Sequence, residues 1–285
     1  MTKLRKDNYD LTLFKTLKID CSKCFGICCV ALYFSKSDGF PKDKVAGEPC
    51  VNLKDNFTCK VHKDLKKKGL KGCTTYDCFG AGQKVVQITY KGENWIKSPE
   101  LAYEMYDSFI IMRKLHEMLW YLSDALTFKL DSNTEDKLIK MIEETEKLTI
   151  LDAKSLKEID IENHQYRVNS ILKEVANLIR EKAIKDKSNK LKNKKCFKEK
   201  FDLIGADLTK YDLSGAKLSG TLLIAANMRE SSLNGANFIG SDMRDMDIRG
   251  ANLEDSLFVT QHQINSARGD LKTKLPPFLL KPSYW

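Results

Sequence analysis

The sequence predicts a multi-domain α and β chain in three parts: a small Cys-rich metal-binding domain, an α-helical middle module and a C-terminal stack of short repeats. Three observations carry this. Eight of the nine cysteines fall within residues 21–78. Apolar residues recur at three- and four-residue steps through residues 98–183, the period of a helix face. From residue 201 an apolar residue returns at every fifth position for twelve repeats. The expected division is residues 1–97 Cys-rich, 98–183 helical, 184–200 a basic linker, 201–260 repeats and 261–285 a C-terminal cap.

The cysteine stretch reads Cys21-Ser-Lys-Cys24-Phe-Gly-Ile-Cys28-Cys29, followed by Cys50, Cys59, Cys73 and Cys78. It is rich in Lys, Gly, Asp and Asn. A segment of this composition buries too little apolar surface to offset its ordering entropy, so it needs a staple. The charged N-terminus is followed by no apolar leader, and no run of about eighteen apolar residues occurs, which predicts a cytoplasmic protein without a membrane span. Thiols stay reduced there, so the cluster predicts metal rather than disulfides. The candidate ligands are Cys21, Cys24, Cys28, Cys29, Cys50, Cys59, Cys73 and Cys78. Such a set suits Zn²⁺ or an iron–sulfur cluster and excludes hard cations. Lys23, Lys54, Lys60 and Lys63 can offset thiolate charge. Eight thiols fill two four-cysteine sites, or one site with a redox-active remainder, and adjacent Cys28 and Cys29 serve two centres more easily than one. His62 stands at a workable ligand spacing from Cys59, yet also reads as a polar residue among lysines. His116 reads as a core histidine.

The formal charge is +9, and residues 181–200 alone carry nine Lys against three acids. That run reads as an extended, solvated linker. A nucleic-acid strip would want Arg or aromatic side chains to fork onto or stack on bases; no Arg stands among these lysines, which argues against nucleic acid.

Residues 84–90, Lys-Val-Val-Gln-Ile-Thr-Tyr, are β-branched and alternate, predicting a strand that returns through Trp95 and Ile96 as a hairpin. Ser98-Pro99-Glu100 reads as a helix start. Ser132-Asn-Thr-Glu135 reads as a capping box for a second helix, Asp152 as the cap of a short one and Asp160 as the cap of a longer one.

In the repeats the central residue is apolar and a small residue usually stands two before it. Positions two apart on an extended chain point the same way, so both face inward and the intervening pair turns a corner. No five-residue unit buries its face alone, so the units must coil and stack. Phe201, Tyr211 and Met246 are too large for the small position and are expected to plug the ends of the stack. Residues 260–269 predict a short helix ended by Gly269, and residues 275–285 an apolar strap over the exposed edge.

The twelve pentads, with their Ala-Asp-Leu and Ala-Asn-Leu versions, resemble the pentapeptide-repeat family. The resemblance implies a right-handed quadrilateral β-helix of about three coils, rising about 14 Å at the usual strand spacing. The cysteine stretch resembles the zinc- or iron-chelating cysteine-cluster family through Cys21 to Cys29, Pro49-Cys50, Cys59-Lys-Val-His62 and Cys73. Three residues rather than two separate Cys24 from Cys28, leaving open which of Cys28 and Cys29 ligates. The expected function is a metal-binding cysteine cluster on a repeat scaffold, serving interaction with a protein partner, sensing or metal handling. An iron–sulfur or zinc enzyme is the alternative, although no catalytic residues stand out. Some pentapeptide-repeat proteins mimic DNA toward gyrase. Nine acids against five bases over residues 201–260, in a basic chain, argue against that role here.

Overall fold

The computed structural model describes residues 3–186, the backbone of 195–196, and residues 200–209 and 211–285. Most of the basic linker and Lys210 therefore lie outside the described residues. The chain divides into two compact units, Thr12–Ser123 with Ile139–Val168, and Met1–Leu11 with Asp124–Leu138 and Asn169–Trp285. In chain order the helices are α1 Thr12–Thr16, α2 Ile27–Ala31, α3 Lys71–Thr75, α4 Ala81–Lys84, α5 Ala102–Leu126, α6 Ser132–Leu148, α7 Ala153–Lys157, α8 Ile161–Asp186 and α9 Gln261–Ser266. None of the described helices is long and apolar enough to cross a membrane.

In the unit built on Thr12–Ser123 and Ile139–Val168, α5 supplies the largest buried surface. Met105, Phe109, Met112, Leu115 and Leu122 are fully enclosed at three- and four-residue steps. The strand expected over 84–90 is instead helical: α4 runs into a π-helical turn, Val85–Thr89, closed by the Tyr90 amide on the Val85 carbonyl at 3.0 Å. The buried positions there, Ala81, Gly82, Val85 and Val86, repeat every four residues. Packing has overridden the β preference of Val-Val-Gln-Ile-Thr, which reflects a half-buried surface more than the backbone itself. At the head of α5 the chain first makes one 3₁₀ turn, Pro99–Leu101, and the Ser98 hydroxyl donates to Glu93 (3.0 Å) instead of capping.

In the second unit, α6 is capped one residue earlier than expected. Asp131 accepts from the Thr134 amide (3.0 Å) and the Thr134 hydroxyl (2.8 Å). The repeats build coils twenty residues long. Parallel bridges join Asp202 to Leu222, Leu222 to Asp242, Asp207 to Asn227, Asn227 to Asp247 and Asn237 to Leu257. Four pentads therefore complete one coil. The rungs are single-residue bridges; the one paired strand among the described residues, β1 Lys195–Cys196 beside β2 Tyr211–Asp212, places part of the expected linker against the stack.

Most of the described corners share one chemistry. The Ala206 amide donates to the Leu203 carbonyl (3.1 Å) around Gly205 at φ 63°, the left-handed third position of a type II turn. The Asp or Asn before eight of the twelve centres reinforces it: Asp202 Oδ1 accepts from the Ile204 amide at 3.0 Å, and Asp207, Asp212, Asn227, Asn237, Asp242, Asp247 and Asn252 do the same. These Asx turns explain why the pentads favour Asp and Asn at that place. All twelve centres, Leu203 to Phe258, are buried. Of the three oversized residues, Met246 is enclosed, Tyr211 half-buried, and Phe201 is 68% exposed and plugs nothing. After Phe258, α9 is capped by Thr260 and Gln263 reciprocally. It ends at Ala267 in extended backbone rather than at Gly269. Arg268 and Lys274 then bridge to Asp247 and Asn252, continuing the stack. The strap returns onto α9, with the Leu280 amide on Gln261 (2.9 Å) and the Tyr284 hydroxyl on the Asn265 carbonyl (2.8 Å).

Two corner glycines of equal backbone geometry separate strain from crowding. A methyl added at Gly205 (φ 63°) meets nothing, whereas one at Gly235 (φ 67°) would lie 2.5 Å from the Ala183 methyl on α8. Gly205→Ala is expected to cost the left-handed penalty alone, about 1–2 kcal/mol. Gly235→Ala should cost about 1–3 kcal/mol more through overpacking. Urea denaturation of the two variants checks the difference, and equal midpoints would contradict the packing of α8 at this corner.

Candidate metal centre

Two identical tripeptides organise the cysteines. Cys24-Phe25-Gly26 precedes α2, and Cys78-Phe79-Gly80 precedes α4. In both, Phe and Gly are left-handed (φ 46° and 62°; 50° and 75°). Two successive left-handed residues fold the chain sharply back and aim the following amides at the preceding sulfur. Cys24 is hydrogen-bonded by the amides of Gly26 and Ile27, and Cys78 by those of Gly82 and Gly80. The two loops come close: a methyl at Gly82 would meet Ile27 at 3.0 Å and the Cys24 Cβ at 3.1 Å. The extra residue between Cys24 and Cys28 is thus part of a knuckle. Trp95 fastens it by donating to the Phe25 carbonyl at 2.9 Å.

All eight predicted cysteines line one cavity of about 120 Å³, open to solvent on the side of the exposed Cys21, and no disulfide joins any of them. His62, Tyr76 and Phe109 share the wall. Among the described residues, no three of His, Cys, Asp and Glu meet at coordination distance. The thiols nevertheless fall into two neighbourhoods. A hydrogen bond between partners dominates in Cys21–Cys24, pushing Cys21 up and drawing Cys24 down to about 7. In Cys28–Cys29 the same cause raises Cys28 and lowers Cys29. Burial is the main cause elsewhere, taking Cys78 up to about 11 and Cys73 up to about 12, and raising Cys59 as well. Beneath those causes lie charge interactions. Cys24, Cys78 and Cys29 act on both Cys21 and Cys28, whereas Cys29 and Cys50 act on both Cys59 and Cys73, so Cys29 stands between the two groups. Cys28 and Cys29 are consecutive on α2, about 100° apart around its axis.

The second neighbourhood has its own support. The Cys50 amide donates to the Cys29 carbonyl (3.0 Å), and Cys59 bridges to Leu53. Cys50 and Cys73 pack on a core of Phe34, Phe40 and Leu70, with the two phenyl rings stacked at 5.0 Å.

The family of the whole chain follows from its relatives. It is 46% identical over 269 residues, 94% of this chain and 95% of the relative, to "Uncharacterized protein YybG" of Bacillus subtilis (strain 168). The chain belongs to the family of that protein. A family model described as pentapeptide repeats matches eight copies over residues 216–255. No solved structure matches.

In this YybG relative the sequence pattern missed several groups around the cysteines. Lys44, 8% exposed, donates to the Val30 carbonyl at 2.5 Å and to the Leu32 carbonyl. Burial lowers its pKa, while Cys50, Cys29 and Cys28 act to raise it. It is the buried cation of the cluster, where the exposed lysines had been expected to serve; Lys23 instead faces Asp20 at 3.4 Å. Asp77, beside Cys78, is pushed up to about 6 by burial and accepts from the Phe79 amide at 2.7 Å. The Tyr76 hydroxyl is buried with no hydrogen-bond partner among the described residues. His62 Nε2 lies 3.9 Å from Cys21 Sγ, so its neighbour is the first group's thiol as well as nearby Cys59. His116 is buried and bonded to the Phe79 carbonyl at 2.7 Å, as a core histidine. The doubled Cys-Phe-Gly was the available signal for the pairing of Cys24 with Cys78.

Proposed function

We propose that the eight cysteines hold transition-metal ions, zinc or iron, in two four-sulfur centres: Cys21, Cys24, Cys28 and Cys78 in one, Cys29, Cys50, Cys59 and Cys73 in the other. The observation that carries this reading is the gathering of all eight thiols, none in a disulfide, around one cavity. The donor chemistry fits: soft sulfurs, amides aimed at Cys24 and Cys78, the buried Lys44 ammonium to offset thiolate charge, and the orphaned Tyr76 hydroxyl able to donate to a sulfur. Burial keeps protons on Cys73, Cys78 and Cys59, so binding a cation there would release them. The protein then serves as an interaction, sensing or metal-handling module. Its repeats form the right-handed quadrilateral β-helix that the family resemblance implies, presented to a protein partner in the cytoplasm.

The test is anaerobic purification followed by elemental and sulfide analysis. Two equivalents of zinc, or iron with matching sulfide, are expected in native protein. Native material without stoichiometric transition metal, or with these cysteines bridged to each other, would overturn the reading.

A further inference from the structure

A second cavity in the cysteine-bearing unit, of about 290 Å³, shares Gln83 with the first but has a different chemistry. Most of its polar wall is already committed. Gln83 donates to the Lys18 carbonyl (2.9 Å) and accepts from the Asp20 amide (2.6 Å), and Gln87 donates to the Lys23 carbonyl (3.0 Å). The Thr16 and Thr149 hydroxyls donate to the Leu13 and Glu146 carbonyls.

Three groups remain. The Lys84 ammonium is half-buried and makes no hydrogen bond or ion pair among the described residues. The Glu146 carboxylate is close enough for its charge to act on Lys84, yet the two are not in direct contact. His116 Nδ1 lies 2.7 Å from the Phe79 carbonyl, which only accepts, so Nδ1 carries the proton and Nε2 presents a lone pair. Burial drives the pKa of His116 down to about 4, keeping the ring neutral. Leu13, Leu17, Ile88 and Leu119 complete the wall with apolar surface.

One cation, one anion, one neutral acceptor and an aliphatic wall are the complement of a particular ligand class. We propose that this cavity binds a zwitterionic α-amino acid with an aliphatic side chain. Its carboxylate meets Lys84, its ammonium is shared by Glu146 and His116 Nε2, and its side chain lies on the leucines. The proposal does not rest on the cysteines holding metal.

The test is calorimetric titration of the full-length protein with L-leucine and L-methionine, against 4-methylpentanoate, which lacks the ammonium, and 3-methylbutylamine, which lacks the carboxylate. Saturable binding of an amino acid, with each analogue at least about tenfold weaker, is expected, because each leaves one charge of the cavity wall, the half-buried Lys84 or the more exposed Glu146, unpaired. Lys84→Met should abolish the preference for leucine over 3-methylbutylamine, and Glu146→Gln the preference over 4-methylpentanoate. Bound zinc and iron, measured on the same samples, should be unchanged by either substitution. No saturable heat from either amino acid at millimolar concentration, or equal binding of the analogues, would overturn it.

Discussion

Asp124→Ala is expected to destabilise the repeat-bearing unit by about 3–5 kcal/mol, the cost of leaving one member of a buried ion pair alone. Arg5 is 1% exposed and Asp124 fully buried, with their side chains 2.6 Å apart. The guanidinium also donates to the Glu254 carbonyl (2.9 Å), the Ser256 carbonyl (2.6 Å) and the Thr127 hydroxyl, and stacks over the Phe128 ring at 4.1 Å. The second Asp124 oxygen accepts from the Phe258 amide at 2.6 Å, where the backbone is left-handed at φ 59°. Asp255 accepts from the Leu4 and Arg5 amides. The N-terminal segment is therefore bound to the last coil through the Arg5 guanidinium and the Asp255 carboxylate. Removing Asp124 strands the cation and orphans an amide. Domains are stable by only about 5–15 kcal/mol, so the loss should show as a large fall in urea midpoint. Arg5→Met should be comparably severe. The double variant Arg5→Met/Asp124→Leu should be less destabilised than the sum, because no uncompensated charge remains. Single variants within 1 kcal/mol of the native protein, by ordinary surface-substitution standards, would show that the pair contributes nothing.

The repeats were legible because their signal is local and redundant. Every pentad repeats the same buried centre, and in eight of the twelve an Asx turn is written in the residue just before that centre. The 84–90 segment was misread because β-branched residues alternate there, while the contacts that make it helical come from residues far away in sequence, such as Ile27 against Gly82. The capping error at α6 has a smaller cause: Asp131 and Ser132 are both good caps, and only geometry selects between them. Phe201 was expected to plug an end of the stack by its place in the repeat, but it belongs to the first pentad and, among the described residues, no bridge from a preceding coil reaches it. Arg5 and Asp124 stand 119 positions apart, and nothing around either marks the pair. For the cysteines, spacing showed which residues belong together. It could not suggest the proposed partition, because that rests on a helix turning Cys28 and Cys29 to different sides and on Cys78 arriving from beyond Cys73.

That partition makes the second large effect specific. Cys28→Ser should remove the metal held with Cys21, Cys24 and Cys78, and Cys29→Ser the metal held with Cys50, Cys59 and Cys73. Each single variant is then expected to retain about half the native metal, and the double variant none. Structural zinc is worth about 10–16 kcal/mol in small domains at neutral pH, as much as the whole stability of a typical domain. Stripping both ions by chelation under reducing conditions should therefore abolish amide-exchange protection through residues 21–89. The coil amides, such as Leu203, Leu208 and Leu218, should stay protected, because they bond to Leu222, Asn227 and Asn237 on the next coil and need no sulfur. The three variants distinguish the alternatives. Loss of all metal from Cys28→Ser and Cys29→Ser alike would mean a single shared cluster. Unchanged metal in either would remove that cysteine from the ligand set. Retention of exchange protection after chelation would mean that the stacked Phe34 and Phe40 and the buried Lys44 hold the cysteine loops without an ion.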